Sequence, residues 1–529
     1  MIGCWGAASR AGEGRALAPA GVAWHTAPTP GNAKQPVTNE SPTLPAGKSL
    51  FRTVVPPIIL PVFLAAADGT VVATALPAIA ASLGEVEKLS WIVVANLIAS
   101  TVAAPAYGRL ADLFGRRRIM VVALCVFMTA SILCSLAPTL PLLLAARVLQ
   151  GLGGGGLMTL AQALLGELVP PRERGSYQGY LSANIVAGST IGPVAGGFIT
   201  ELWGWHAVFL AYVPLGLIAI ALIMRLPKSQ PSGGRTGFDL PGMGLLTMFI
   251  VPLLLAVSQL QKLDPSILPR LLLLLAFSGA ALAVLIWQQK RAPSPLLALH
   301  LMKLPAFWRA DLMAACSGAS LTAMMTFLPI YFQVVAGATS GEAGLLLIPL
   351  TAAVSSGSVV TGWLISRTGR TAVFPMVGLT VTAITLVGLA LWAPELNRVQ
   401  LACVLALGGV CQGSSMLTAQ ITVQIVGGPR NLGAAAASAQ LSRSMGSAFG
   451  AAAAGSVLFG ILSAMDADTA TLFFDMVRRG PGVLASLAPE HRALVQAEVA
   501  SAFRGVFLTV ATFSCLIVAA AATMPLRRV

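Results

Sequence analysis

Charge is what this sequence has least of. Asp, Glu, Lys and Arg make up 10% of its 529 residues, against 56% apolar residues. A water-soluble chain of this length needs more charge to cover its surface, so a set of soluble domains is excluded. Histidine is scarce too: His25, His206, His300 and His491 lie far apart and suggest no metal site. The seven cysteines contain no CxxC pair, and all but Cys4 fall inside apolar runs, as small hydrophobes in helix packing do. No nucleophile stands beside a base, so the sequence does not read as an enzyme, and it implies no cofactor. The formal charge of +14 has no aromatic-interleaved basic patch behind it, which argues against nucleic acid as a partner. Gly151-x-Gly153-x-x-Gly156 imitates a dinucleotide fingerprint but lies inside an apolar run with no strand before it.

What the chain has in abundance is long apolar blocks. Fourteen of them, about 17 to 29 residues each, suit helices across a hydrocarbon layer about 30 Å thick. They run at about 54–79, 91–107, 119–136, 140–160, 177–199, 208–224, 243–260, 271–287, 312–335, 343–365, 373–392, 401–425, 434–462 and 506–524. Helices are expected because lipid offers backbone groups no partner. With the N-terminus inside, the inner segments from Lys34 onward hold 21 Lys and Arg and the outer loops 8. That asymmetry places both termini in the cytoplasm of a multi-pass protein of the cell inner (plasma) membrane. Residues 1–50 hold no compact apolar run with a cleavage site and read as a disordered cytoplasmic tail.

The chain also repeats itself. Gly108, Leu110, Gly115 and Arg116 recur 254 residues later as Gly362, Leu364, Gly369 and Arg370. Pro171, Arg172 and Gly175 recur 258 residues later as Pro429, Arg430 and Gly433, and the same shift carries Gly188, Gly192 and Gly197 onto Gly446, Gly450 and Gly455. Spans one to six therefore pair with spans nine to fourteen, as parallel halves related by an axis along the membrane normal. The division is a six-helix bundle at 51–226, two additional helices at 227–290, and a second six-helix bundle at 291–529 with a long outer loop at about 465–504.

Several segments carry a family resemblance. The run Gly108 to Arg118 (GRLADLFGRRR) resembles the signature loop after the second helix of major facilitator transporters. Asp68 to Pro77 (DGTVVATALP) is similar to the first-helix motif of the fourteen-helix drug:proton antiporters. Arg147-x-x-Gln150-Gly151-x-Gly153-Gly154 is similar to the fourth-helix motif, and Gly188-x-x-x-Gly192-Pro193-x-x-Gly196-Gly197 to the fifth-helix antiporter motif. Trp203 to Gly216 fits the usual entry into helix six. The resemblance covers residues 51–525 and implies an all-α membrane protein of major facilitator fold, two pseudo-symmetric six-helix bundles plus two central helices. Two positions depart from it: Ser366 stands where an acid often sits in the second copy of the signature loop, and Ala451 replaces a proline. Both point to a weaker gate on that side.

Asp68 is read as the only acid well inside a span. An intramembrane ionisable group is expensive and usually functional. Helical rise puts Asp68 and Arg147 at similar depth, about 20 Å above the inner face, so the two are expected to influence one another and to couple proton movement. The alternatives are a structural hydrogen bond for Asp68 and a tie to backbone carbonyls for Arg147. The resemblance makes Gly108, Asp112, Gly115, Arg116 and Arg117 a cytoplasmic gate, or else a basic loop held inside by its charge. Gly188, Gly192 and Gly196 form a smooth face for close helix approach and Pro193 bends the segment; the resemblance makes them, with Gly197, a seal against proton leak. Gln150, Met324, Met325, Phe327, Tyr331, Gln412 and Arg443 are pocket candidates, with ordinary packing as the alternative. Together these imply a proton-coupled antiporter exporting small lipophilic or cationic compounds, with the lipid bilayer around it and a periplasmic adaptor protein as a further partner. The alternatives are a dedicated exporter of a metabolite or siderophore, including an anionic one, and, more remotely, a membrane sensor or scaffold that does not transport.

Overall fold

The computed structural model describes residues 48–83, 89–170, 173–227, 237–260, 267–338, 340–465, 472–473 and 489–525. Among these there is no strand; the chain closes its backbone hydrogen bonds within helices, as a lipid environment requires. The first six spans are α1 (Lys48–Leu83), α2 (Ser90–Phe114), α3 (Arg116–Ser135), α4 (Leu140–Leu168), α5 (Arg174–Trp203), and the joined pair α6 (Trp205–Leu210) and α7 (Tyr212–Ile223). Two more follow, α8 (Leu240–Leu260) and α9 (Leu268–Arg291). After the short α10 (Leu299–Met302) come α11 (Pro305–Val334), α12 (Ser340–Thr368), α13 (Val373–Trp392), α14 (Arg398–Gly427), α15 (Leu432–Met465) and α16 (Pro489–Ala522). Fourteen of the resulting segments are long and apolar enough to cross a membrane, the number expected from the apolar blocks.

The ends differ from expectation where charges interrupt an apolar face. Lys48 to Leu50, assigned to the tail, form the first turn of α1, and residues 1–47 lie outside the described residues. Residues 489–504, assigned to the outer loop, are helical, while 466–471 and 474–488 lie outside the described residues. Glu498 and Arg504 lower the local hydropathy there, yet Val495, Val499, Ala502, Phe503 and Val506 recur at helical spacing and are buried.

α1 packs on α5, and α4 against both α2 and α3. In the later part α11 packs on α15, α12 on α14 and α13 on α16, while α5–α12 and α2–α15 join the first six spans to the last six. Small residues let these helices meet. A Cβ on Gly151 would lie 2.5 Å from the Asn96 carbonyl oxygen of α2, and one on Gly153 2.7 Å from the Phe127 nitrogen of α3. The glycine run of α4 is thus a packing surface and not a phosphate cradle.

The α8–α9 hairpin lies against one of the two junctions. Leu246, Ile250 and Leu254 of α8 form one apolar cluster with Ile98 and Val102 of α2 and Leu441 and Ala448 of α15. Asp239 fixes its base: Oδ1 accepts the Gly242 N–H (2.8 Å) and the Gln288 side-chain amide (2.8 Å), and Oδ2 accepts the Gln289 amide (2.6 Å). One carboxylate therefore caps α8 and ties it to the end of α9.

Candidate functional site

Asp68 lies midway along α1 and is 3% exposed; Arg147, on α4, is 1% exposed. Their side chains meet, with Arg147 Nη1 donating to Asp68 Oδ1 at 2.8 Å. The depth match expected from helical rise is thus a direct ion pair. Nη1 also donates to Gln150 Oε1 (2.6 Å), Nε to the Ile92 carbonyl (3.3 Å), and the guanidinium lies 5.8 Å from the Phe209 ring centroid. Gln150 passes the chain on: its Nε2 donates to Ser131 Oγ (2.9 Å), which donates to the Phe127 carbonyl (2.8 Å), while the Cys134 thiol donates to Gln150 Oε1 (3.4 Å). A buried pair of this kind persists only where its remaining lone pairs and protons are also satisfied. Here α1, α2, α3 and α4 supply the partners in one network.

Two groups beside the pair are left open. Asn96 of α2 donates to Asp68 Oδ2 (3.1 Å), but its own Oδ1 is buried without a partner. The Tyr212 hydroxyl of α7, whose ring lies 5.5 Å from that of Phe127, is likewise buried and unpartnered. Buried polar atoms are nearly always satisfied, so these two are exceptions in an otherwise closed network. Neither was singled out from sequence; a lone Asn in an apolar block was the available signal.

Glycine seats α5 on the stretch of α1 that carries Asp68. Cβ atoms on Gly188 and Gly192 would come to 3.0 Å from Ala66 Cβ and 2.5 Å from Thr70 Oγ1, and one on Gly196 to 2.7 Å from Val71 Cγ1. Gly197 instead has nothing within 4 Å, and Pro193 is partly exposed. The expected smooth face therefore consists of three glycines, and it fixes the helix that holds the carboxyl.

The second cluster sits at the end of the bundle carrying the α2–α3 turn. Gly115 makes that turn with φ of 91°, a conformation other residues rarely adopt. Arg116 Nη2 pairs with Asp112 Oδ1 (2.9 Å) and Nη1 with Glu167 of α4 (2.9 Å). Asp112 reaches across to the later spans: its oxygens accept the N–H groups of Gly433 (3.2 Å) and Ala434 (3.3 Å), two of the orphan donors at the start of α15. Gly108 makes the approach possible, since a Cβ there would sit 2.6 Å from the Gly433 carbonyl oxygen. Arg117 turns the other way and donates to the Met224 and Leu226 carbonyls at the end of α7, each at 2.5 Å.

The repeat reappears here as geometry. Gly362, counterpart of Gly108, meets Gly175, counterpart of Gly433, in backbone contact between α12 and α5. Ser366, counterpart of Asp112, accepts the Ser176 N–H at 3.1 Å as Asp112 accepts that of Ala434, and also accepts the Ser176 hydroxyl (3.1 Å). The hydroxyl thus does part of the acid's work at the start of α5 but carries no charge toward the helix dipole. Ser366→Ala is expected to cost about 1 kcal/mol by removing this cap. Hydrogen exchange in the first turn of α5 should quicken, whereas Ser366→Asp should slow it below the parent rate.

The pocket candidates are scattered. Gln150 belongs to the ion-pair network. Met324 and Gln412 line a common cavity among α11, α12, α13 and α14 with Ser320, Leu350 and Thr382, and both polar atoms of the Gln412 side chain are unpartnered. Phe327 is buried in the surrounding core, and Tyr331 packs edge-on against Phe503 (5.3 Å) and Phe507 (5.7 Å) of α16. Met325 is partly exposed, and Arg443 donates to Gln440 and, at 3.9 Å, to the Met416 sulfur. Asp68 is not the only acid inside a span. α11 begins at Pro305 and not near Leu312, because Pro305 starts the helix and its first turns carry Arg309, and this puts Asp311 inside it, 5% exposed. No group of His, Cys, Asp and Glu suited to a metal occurs among the described residues.

Comparison with known proteins agrees on one architecture. The model of the Major Facilitator Superfamily matches residues 58–451. The chain is 31% identical to the multidrug transporter protein MdtP of Bacillus subtilis over 415 residues, 78% of this chain and 76% of that one. It is 31% identical over 321 residues to multidrug resistance protein 3 of Bacillus subtilis, spanning 60% of this chain and 62% of the other, less than two thirds of its length. Among solved structures, the human organic anion transporter MFSD10 superposes with a TM-score of 0.60 at 14% identity, covering 89% of this chain and 99% of that one, a likeness of fold.

Proposed function

Because the chain belongs to the Major Facilitator Superfamily of membrane transporters, we propose that it is a proton-coupled antiporter exporting small lipophilic, preferentially cationic, compounds. The observation that carries this reading is the Asp68–Arg147 pair, buried between helices and flanked by the open Asn96 and Tyr212 atoms. Burial favours a protonated carboxyl and a neighbouring cation an ionised one, so a modest rearrangement changes proton occupancy. A proton on Asp68 removes the charge that holds Arg147, which keeps its bonds to Gln150 and Ile92. A cationic substrate and a proton then compete for one carboxylate, and mutual exclusion at a single site is what exchange requires.

The closed α2–α15 and α5–α12 junctions support a conformation sealed at the α2–α3 end. The Lys and Arg bias of the loops supports a cytoplasmic position for that end, in keeping with a cell inner membrane and both termini inside. Division into two six-helix bundles with α8–α9 inserted between them suits rocking about a central site. The names of the relatives, multidrug transporters at about 30% identity, support a lipophilic cargo. A second reading, a carrier of an organic anion, draws on Arg443, whose recorded partners are neutral.

The test is transport into inside-out vesicles with an imposed acid-inside gradient, using one lipophilic cationic dye and one lipophilic anionic dye. Accumulation of the cation that collapses with a protonophore is the expected result. Accumulation of the anion alone favours the second reading, and uptake unaffected by the protonophore overturns proton coupling.

A further inference from the structure

Asp311 is a buried carboxyl that the Asp68 site does not use. It stands two turns into α11 and is 5% exposed. Ser438 of α15 donates to its Oδ2 at 2.5 Å, and its Oδ1 has no partner. The surroundings are apolar: Ala310 and Ala314 flank it on α11, and Ala435 and Ala439 flank Ser438 on α15, all four buried in one cluster. Just beyond, Gly446 meets Ala315 and Gly450 meets Ala319 in backbone contact, which closes the space between the helices.

No charged side chain on the packed elements bonds to Asp311 among the described residues, and Glu498 and Arg504 of α16 lie on the stretch that follows Gln496, which bonds the far end of α11 at Val334. Arg309 donates to the Thr523 carbonyl after α16 and lies 5.2 Å from the Trp308 ring. Arg443 of α15 is held by Gln440 and Met416, the latter on α14. His300 on α10 is exposed, Glu342 and Arg367 lie near the two ends of α12, and Cys316 is five residues further along α11. Among the described residues no ion pair with Asp311 exists. A carboxylate left in such a place, with one oxygen bare, is several kcal/mol worse than a neutral acid that keeps the Ser438 bond.

Its position gives the proton a use. Ser438 is one turn along α15 from Ala434, whose N–H Asp112 holds, and next to Ala437, which touches Gly108. At the helical rise, Ala434 and Ser438 are about 6 Å apart along the axis. Separation of α2 from α15 admits water to within a turn of Asp311.

We propose that Asp311 is a second proton-carrying site, protonated while the α2–α15 junction is closed and releasing its proton to water when that junction opens. The carboxylic O–H bond breaks, the proton passes to water, and the carboxylate remains hydrogen-bonded to Ser438. This rests on the antiport reading above for its purpose but not for its existence.

Two measurements on the full-length chain test it. Infrared spectra of the purified protein at neutral pH should show a protonated-carboxyl stretch that is lost in Asp311→Asn, kept in Asp68→Asn, and shifted in Ser438→Ala. If Asp311→Asn removes no such band, Asp311 is ionised and the proposal fails. In reconstituted vesicles loaded with the cationic dye, Asp311→Asn should reduce gradient-driven accumulation at least tenfold while dye-for-dye exchange persists, and Asp311→Glu should restore accumulation. Unchanged gradient-driven accumulation in Asp311→Asn overturns the proton-carrying role. Should the unmutated protein show no gradient-driven accumulation, the antiport reading fails, and the infrared result still decides whether Asp311 holds a proton.

Discussion

Asp68→Asn is expected to abolish gradient-driven accumulation of a lipophilic cation while leaving a folded protein in the membrane. Asparagine keeps the shape and still offers Arg147 an acceptor, but it neither binds a proton at working pH nor attracts a cation. Arg147 is then a buried charge whose counter-ion is gone, and breaking such a pair costs about 3–5 kcal/mol. Gln150 Oε1 and the Ile92 carbonyl offset part of this by retaining their bonds to the guanidinium. Arg147→Met is the milder change, because it leaves Asp68 with only the Asn96 amide for a partner but free to take up a proton, an escape the guanidinium does not have. The double variant Asp68→Asn/Arg147→Met should be closer to wild type in thermal stability than Asp68→Asn alone, since neighbours in one network couple by about 0.5–3 kcal/mol. It should nevertheless transport nothing against a gradient. Wild-type accumulation in Asp68→Asn would remove the carboxyl from the coupling scheme altogether.

The second large effect is expected at the junctions. Gly433→Val puts a branched side chain where the Gly108 carbonyl already lies in contact, and Asp112 Oδ1 would be 2.8 Å from the new Cβ. Backbone cannot swing aside as a flexible side chain can, so α2 and α15 must separate. Overpacking of this kind costs about 1–3 kcal/mol, which as a bias between conformations corresponds to roughly 5- to 150-fold. Exchange of the amides at the start of α15 should accelerate, because their Asp112 acceptor is pushed away, and transport should fall by more than tenfold. Gly362→Val should do the same at α5–α12. Gly279→Val is the control: a Cβ there meets nothing within 4 Å, and near-normal transport is expected. Equal protection of the α15 amides in Gly433→Val and the parent would show that the junction does not hold the two sets of helices together.

Much of this was legible in the sequence for identifiable reasons. Lipid makes length and hydropathy enough to count spans, and a constant rise per residue turns position into depth, so Asp68 and Arg147 could be matched without coordinates. The repeat predicted paired turns, and Gly369, at φ 67°, bends the chain as Gly115 does. What stayed hidden depends on which side of a helix faces what. Asp311 was lost because Arg309 and the residues before it depress the local hydropathy, moving the apparent start of α11 past the acid. Ser366 was read as a missing acid, whereas the Ser176 N–H it accepts is visible only once α5 and α12 are in contact. Tyr331 could not be told from a cavity residue, because methionine and aromatic side chains line pockets and fill cores alike.

The α8–α9 hairpin leaves the two seams unequal. Along α2–α15 the strip of Leu246, Ile250 and Leu254 lies against both partners, while the α5–α12 seam has no such cover among the described residues. Peeling α8 from either neighbour exposes it to acyl chains, which are as apolar as what it leaves, so the penalty is lost fit and not lost dryness. In the proposed rocking, the insertion would act less as a bolt than as a sliding gasket, leaving the halves free to tilt while keeping lipid tails out of the widening crack on one flank.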